Sequence, residues 1–176
     1  KATSYFLSDF NETTVRLSSN ENPYGPSPAA REAMANHLNI SNRYQWKLIR
    51  DVIASIAVEH NLTPDNVLVG AGSTQIIDAC IQFAALQKGN FVIADPTFNR
   101  WTPAAEKSGL QKKAVPLTSN KVHDLSAMLK AINSDTKMVY VCNPNNPTGT
   151  VCNYEALVGF VKEATRKAFV VIDEAY

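Results

Sequence analysis

Apolar positions along this chain follow two rhythms. Short unbroken runs, Val67–Val69, Phe91–Ala94, Met138–Cys142 and Phe169–Ile172, alternate with segments whose apolar residues recur at helical spacing. Unbroken runs of this length fit strands buried on both faces, and the intervening pattern fits helices that cover them. The expected order from Asn66 is strand (NVLVG), largely buried helix (STQIIDACIQFAAL), strand (FVIAD), and then a loop and helix over PTFNRWTPAAEKSG. A weaker strand (KKAVPL), a helix (LSAMLKAI), a strand (KMVYVC), a helix (YEALVGFVKEATRK) and a strand (AFVVID) follow. Such alternation predicts an α/β fold of three layers, α/β/α, around a mostly parallel sheet joined by right-handed crossovers.

The first third reads differently. Up to Tyr24 the chain is polar and irregular, as an arm would be. Ser27 before Pro28 supplies an N-cap and a first-turn proline for a short helix through AAREAMANHL. After the loop NISNRYQW, Leu48, Ile49, Val52, Ile53, Ile56 and Ala57 predict an amphipathic helix ending near Asn61.

Composition narrows the partner. Of 176 residues, 45% are hydrophobic, and 17 basic against 16 acidic side chains leave a formal charge of +1 without a basic run. Nucleic acid and membrane surfaces find no electrostatic footprint here, so a small molecule is expected. Cys80, Cys142 and Cys152 have no metal-ligand spacing and read as reduced core residues. With no apolar stretch long enough to span a bilayer, the expected location is the cytoplasm; the first residue, Lys1, leaves a removed leader open. Ending at Tyr176, directly after an apolar strand, the chain reads as part of something longer.

In an open α/β sheet, ligands bind at the carboxyl ends of the strands, so the loops after Val69, Ala94, Cys142 and Ile172 are where chemistry is expected. VGAGSTQ follows a strand and opens a helix, and its amides with the Ser73 and Thr74 hydroxyls would suit a phosphate. Gln75 stands where a dinucleotide motif has its third glycine, and no Gly-Lys-Ser/Thr follows. Asp173 ends an apolar run, which suits a partly buried carboxylate facing a cation, and also resembles the acidic strand of a nucleotide hydrolase. Phe98, in DPTFNRW, offers a flat face at the same sheet edge. VCNPNNPTGT has far more proline and asparagine than a plain turn requires.

Taken in order, SSNENPYGPS, NRY, GAGSTQ, DPTF, NPNNPTG and DEAY resemble the pyridoxal-phosphate (PLP) aminotransferases of fold type I, class I/II. The pattern is most similar to histidinol-phosphate aminotransferases. That resemblance implies roles residue by residue. Asn146 and Tyr176 would hydrogen-bond the phenolic oxygen of PLP, Asp173 would face the ring nitrogen, and Phe98 would stack on the ring. Ser73 and Thr74 would hold the phosphate, Tyr44 would reach the phosphate of a neighbouring subunit in a homodimer, and Asn22 and Tyr24 would lie in a loop closing over substrate. Residues 1–27 would be the arm and substrate loop, and 28–176 the first part of the large PLP-binding domain. Its substrates would be an amino acid or amino-alcohol phosphate and a 2-oxo acid.

Phe98, Gln45 and Ser73-Thr74 stand where histidinol-phosphate enzymes usually carry Tyr, Pro and Ala-Asp, which leaves the substrate open. The Schiff-base lysine in its Ser-x-Ser-Lys context and the carboxylate-binding arginine both fall, in the family, beyond DEAY. Neither motif occurs in these residues. A PLP-dependent decarboxylase of the threonine-phosphate type and a PLP-binding regulatory module share the motifs and are the alternatives.

Overall fold

The computed structural model describes residues 20–176, which divide into a unit ending at Arg50 and a unit running Asp51–Tyr176. Residues 1–19, most of the expected arm, lie outside the described residues.

In the first unit, Ser27 caps helix α1 (Pro28–His37) by accepting the Ala30 N–H at 3.2 Å, with proline in the first turn as its sequence demands. A single 3₁₀ turn over Leu38–Ile40 separates α1 from α2 (Trp46–Glu59), which continues into the second unit. α2 ends two residues short of the expected Asn61, which takes a left-handed φ of 55°. The amphipathic stripe of α2 buries only Ala57, while Leu48, Ile49 and Val52 are exposed.

The second unit contains α3 (Gly72–Ala84), β1 (Gly89–Asp95), α4 (Thr102–Lys107), β2 (Leu110–Pro116), α5 (Leu125–Ala131), β3 (Thr136–Cys142), α6 (Tyr154–Ala164) and β4 (Phe169–Asp173). All strand pairs are parallel in the order β2-β1-β3-β4. Alternation along each strand sends successive side chains to opposite faces. Phe91, Ile93, Met138, Tyr140 and Cys142 therefore pack with Ile77, Ile81 and Trp101 on one face. Val92, Ala94, Val139 and Val141 pack with Met128, Leu157 and Phe160 on the other. These two cores on either side of one sheet are the three expected layers.

Two expectations need correction. The run NVLVG is not a strand: Val67 is extended (φ −118°, ψ 123°), but the segment pairs with none of the four strands and Leu68 is 70% exposed. An apolar run becomes a strand only where a neighbour completes its ladder, and the described residues provide none. Nor is α3 largely buried. Ile77, Ile81 and Ala84 face the sheet, whereas Phe83 is 59% exposed.

Candidate functional site

Helix α3 runs antiparallel to the strands, because Phe83 in its last turn meets Phe169 at the start of β4 edge to face, with ring centroids 5.2 Å apart. Its first turn consequently lies toward the carboxyl ends of the strands, where the loops after β1, β3 and β4 also emerge. A cavity of about 350 Å³ lined by Phe83, Phe169, Lys137 and Lys167 opens at the other edge and includes none of the expected site residues.

Asp173 closes β4 opposite Cys142 of β3. Parallel neighbours in register share a face, so its carboxyl points to the α3 side, as do Cys142 and Tyr140. It is 9% exposed; Oδ2 accepts the Tyr140 O–H at 2.5 Å, and Oδ1 accepts the Ala175 N–H at 3.2 Å. Tyr140 is itself fully buried, its ring between Trp101 and the strand. Burial and the adjacent carboxylate push its phenol far above the usual tyrosine range, so it remains a donor.

The stretch Asn143–Thr150 is folded on itself. Gly149 donates to the Asn145 carbonyl at 2.7 Å, and Asn145 N–H to that of Thr150 at 2.9 Å. The Asn145 side chain, 2% exposed, joins two strand-end loops. Its Oδ1 accepts from the Thr97 hydroxyl at 2.5 Å, and Nδ2 donates to Thr148 Oγ1 at 2.7 Å and to the Pro96 carbonyl at 3.3 Å. The X-Pro bonds at Pro96, Pro144 and Pro147 are cis. Asn146, next in the chain, is half-buried, and its Nδ2 donates to the Tyr176 hydroxyl at 3.2 Å. Two of the expected polar contacts are thus side by side, a few residues from Asp173.

Phe98 follows Thr97 and is half-buried against the core that contains Cys142 and Ile77. Ser73 and Thr74 occupy the exposed first turn of α3, entered through Gly72 at φ +78°, a conformation that suits glycine. Among the described residues nothing hydrogen-bonds their amides or hydroxyls. The free amides and helix dipole there favour an anion.

Asn22, Tyr24 and Tyr44 belong to the first unit. Asn22 Oδ1 accepts the Tyr24 N–H at 3.0 Å, and Tyr44 stacks on Trp46 with centroids 5.6 Å apart. All three cysteines are free thiols pushed upward by burial, in keeping with a core role, and the described residues form no group suited to a metal.

Tyr140, Asn145 and His123 are the residues that sequence reasoning missed. Tyr140 was detectable in principle, two positions before the end of a strand whose neighbour ends in Asp173. Asn145 was masked by Asn146 beside it. His123 offered no signal.

A buried acid, an amide and phenol pair, an aromatic face and the exposed start of α3 thus lie toward the carboxyl ends of the strands. The profile of the family described as aminotransferase class I and II matches residues 12–176, and the chain belongs to that family. Curated relatives include the histidinol-phosphate aminotransferase of Halalkalibacterium halodurans, 38% identical over 94% of this chain and 44% of its own length. The aromatic amino acid aminotransferase of Cutibacterium acnes is 36% identical over 94% of this chain and 47% of its own. The chain therefore spans less than half the length of these relatives. Among solved structures, the histidinol-phosphate aminotransferase of Sinorhizobium meliloti in complex with pyridoxal-5'-phosphate superposes with a TM-score of 0.79. At 24% identity, covering 90% of this chain and 43% of that one, it shows the shared fold. The aspartate aminotransferase of Thermus thermophilus aligns over 84% of this chain and 41% of its own at a TM-score of 0.70 and 26% identity. No helix among the described residues is long and apolar enough to cross a membrane.

Proposed function

We propose that the protein to which this chain belongs is a PLP-dependent aminotransferase moving an amino group between an amino acid or amino-alcohol phosphate and a 2-oxo acid. The observation carrying this is the convergence of Asp173, held by Tyr140, with the Asn146 and Tyr176 pair at one strand edge. The donor set fits the cofactor. Asp173 Oδ1 has one long backbone donor and can accept from a ring nitrogen, while the Asn146 amide and Tyr176 hydroxyl suit a phenolic oxygen.

When bound, PLP supplies a ring that accepts the electrons left at the substrate's α-carbon. Asp173 would hold a proton on the ring nitrogen, and its burial would strengthen that pairing. Asn146 and Tyr176 would hold PLP through its phenolic oxygen, Phe98 would offer its ring a flat face, and Ser73 and Thr74 with the α3 amides would take the phosphate. By the family resemblance, Asn22 and Tyr24 would lie in a loop closing over substrate, and Tyr44 would reach the phosphate of a second copy in a cytoplasmic homodimer. The reading is tested on the full-length protein by its visible absorbance and intact mass before and after borohydride. A band that reduction removes, with the cofactor's mass then fixed to the protein, is the expected outcome. If neither is seen, and added PLP does not bind, the proposal fails.

A further inference from the structure

The geometry points to Thr118–His123, the loop between β2 and α5, as a positioning strap that holds Asn146 in place through the loop it sits in. The inference rests on the cofactor reading above. Strand β2 lies at the edge of the sheet, two places from β3, yet the loop leaving it grips the loop leaving β3 at both ends.

The first grip is a directed chain of hydroxyls. Thr150 Oγ1 donates to the Lys121 carbonyl at 2.6 Å. A threonine has one hydroxyl proton, so Thr148 is the donor in its contacts with Thr150 at 2.8 Å and with the same Lys121 carbonyl at 3.3 Å. Thr148 Oγ1 in turn accepts from Asn145 Nδ2 at 2.7 Å. The Lys121 carbonyl is the terminal acceptor of this chain, and the direction it imposes fixes which way the Asn145 amide faces. Nδ2 points to Thr148, which leaves Oδ1 for Thr97. Lys121 adopts φ +62°, a left-handed conformation that side chains avoid unless their surroundings impose it. The strap is closed around that residue: Lys121 N–H donates to the Thr118 carbonyl at 2.9 Å, and Thr118 N–H to that of Val122 at 2.9 Å.

The second grip is His123, which is 4% exposed. A carbonyl oxygen only accepts, so the 2.8 Å contact with the Cys142 carbonyl requires the proton on Nε2. Nδ1 is buried and has no hydrogen-bond partner among the described residues, and burial disfavours the charged ring. His123 thus pins the chain where β3 ends, and Lys121 pins it at Thr148 and Thr150. Asn146 lies between, aimed at Tyr176.

The test compares full-length protein with Thr150→Val, which deletes the terminal hydroxyl at nearly constant volume, and Thr150→Ser, which keeps it. The pair His123→Leu and His123→Gln does the same for the second grip, since glutamine retains a donor. Two quantities are read: the PLP dissociation constant of the cofactor-free protein, and hydrogen exchange of the peptide covering 143–150. Thr150→Val is expected to raise the dissociation constant about tenfold, the effect of losing one ordinary hydrogen bond, and to speed exchange in that peptide, with Thr150→Ser restoring both. His123→Leu is expected to do likewise, with His123→Gln restoring. Faster exchange with unchanged PLP affinity would reduce the strap to a structural staple and overturn the proposal. Unchanged exchange would overturn it outright. If the parent protein binds no PLP, the cofactor reading fails, and exchange alone decides whether the strap holds the loop.

Discussion

Replacing Tyr140 by Phe deletes one oxygen and leaves a ring to pack against Trp101. That oxygen supplies the 2.5 Å hydrogen bond to Asp173 Oδ2. Hydrogen bonds to a charged partner contribute about 1.5–3 kcal/mol, against about 1 for neutral ones. Asp173 is 9% exposed, so water recovers little of the lost contact, while relief from burying the phenol offsets part of the loss. The expected net destabilisation is ~2 kcal/mol at neutral pH, with no cavity to add to it. Urea denaturation of the full-length protein measures it as a lower midpoint at unchanged slope.

A double-mutant cycle with Asp173→Leu, which removes the acceptor at similar size, isolates the pair, with an expected coupling of ~1–2 kcal/mol. Alkaline pH gives an independent check. The folded phenol is raised above the ordinary value of 10.0, so above that pH the unfolded chain releases a proton that the native state retains. Tyr140 therefore contributes stability that is fully present below pH 10.0 and falls as pH rises further, a slope that Tyr140→Phe should remove. A loss under ~0.5 kcal/mol, or single effects that simply add, would refute the claim that Tyr140 holds Asp173.

Asn145→Ala removes contacts at 2.5, 2.7 and 3.3 Å and orphans the buried Thr97 hydroxyl, so a loss of ~3 kcal/mol in urea denaturation is expected. Asn145→Asp, which keeps the acceptor for Thr97 but buries a charge without a cation, should lose at least as much. His123 has its folded pKa lowered, chiefly by burial, so below its ordinary value of 6.5 the unfolded chain binds the proton first. Stability should then fall as pH drops below 6.5, by up to ~1.4 kcal/mol per unit, until the folded pKa is passed. The neighbouring Cys142 and Cys152 thiols are pushed upward and do not titrate there, so His123→Gln should flatten this acid limb in urea denaturation.

By itself the sequence determined the layers and the neighbourhood of the site. Unbroken apolar runs separated by helical periodicity lead to a parallel sheet with two cores, because both faces of such strands must be covered. Proline, glycine and asparagine placed the shaped loops at the strand ends, since their backbone preferences are local. Ser27, Asp124 and Asn153 cap their helices for the same local reason. Tertiary structure decided what depends on neighbours distant along the chain. Val67–Val69 has the composition of a strand, but a ladder needs a second chain segment beside it. The roles of Tyr140, Asn145 and His123 arise from hydrogen bonds to residues 33, 48 and 19 positions away. No local pattern encodes such pairings, because register across the sheet, rather than spacing along the chain, brings a phenol under a carboxylate.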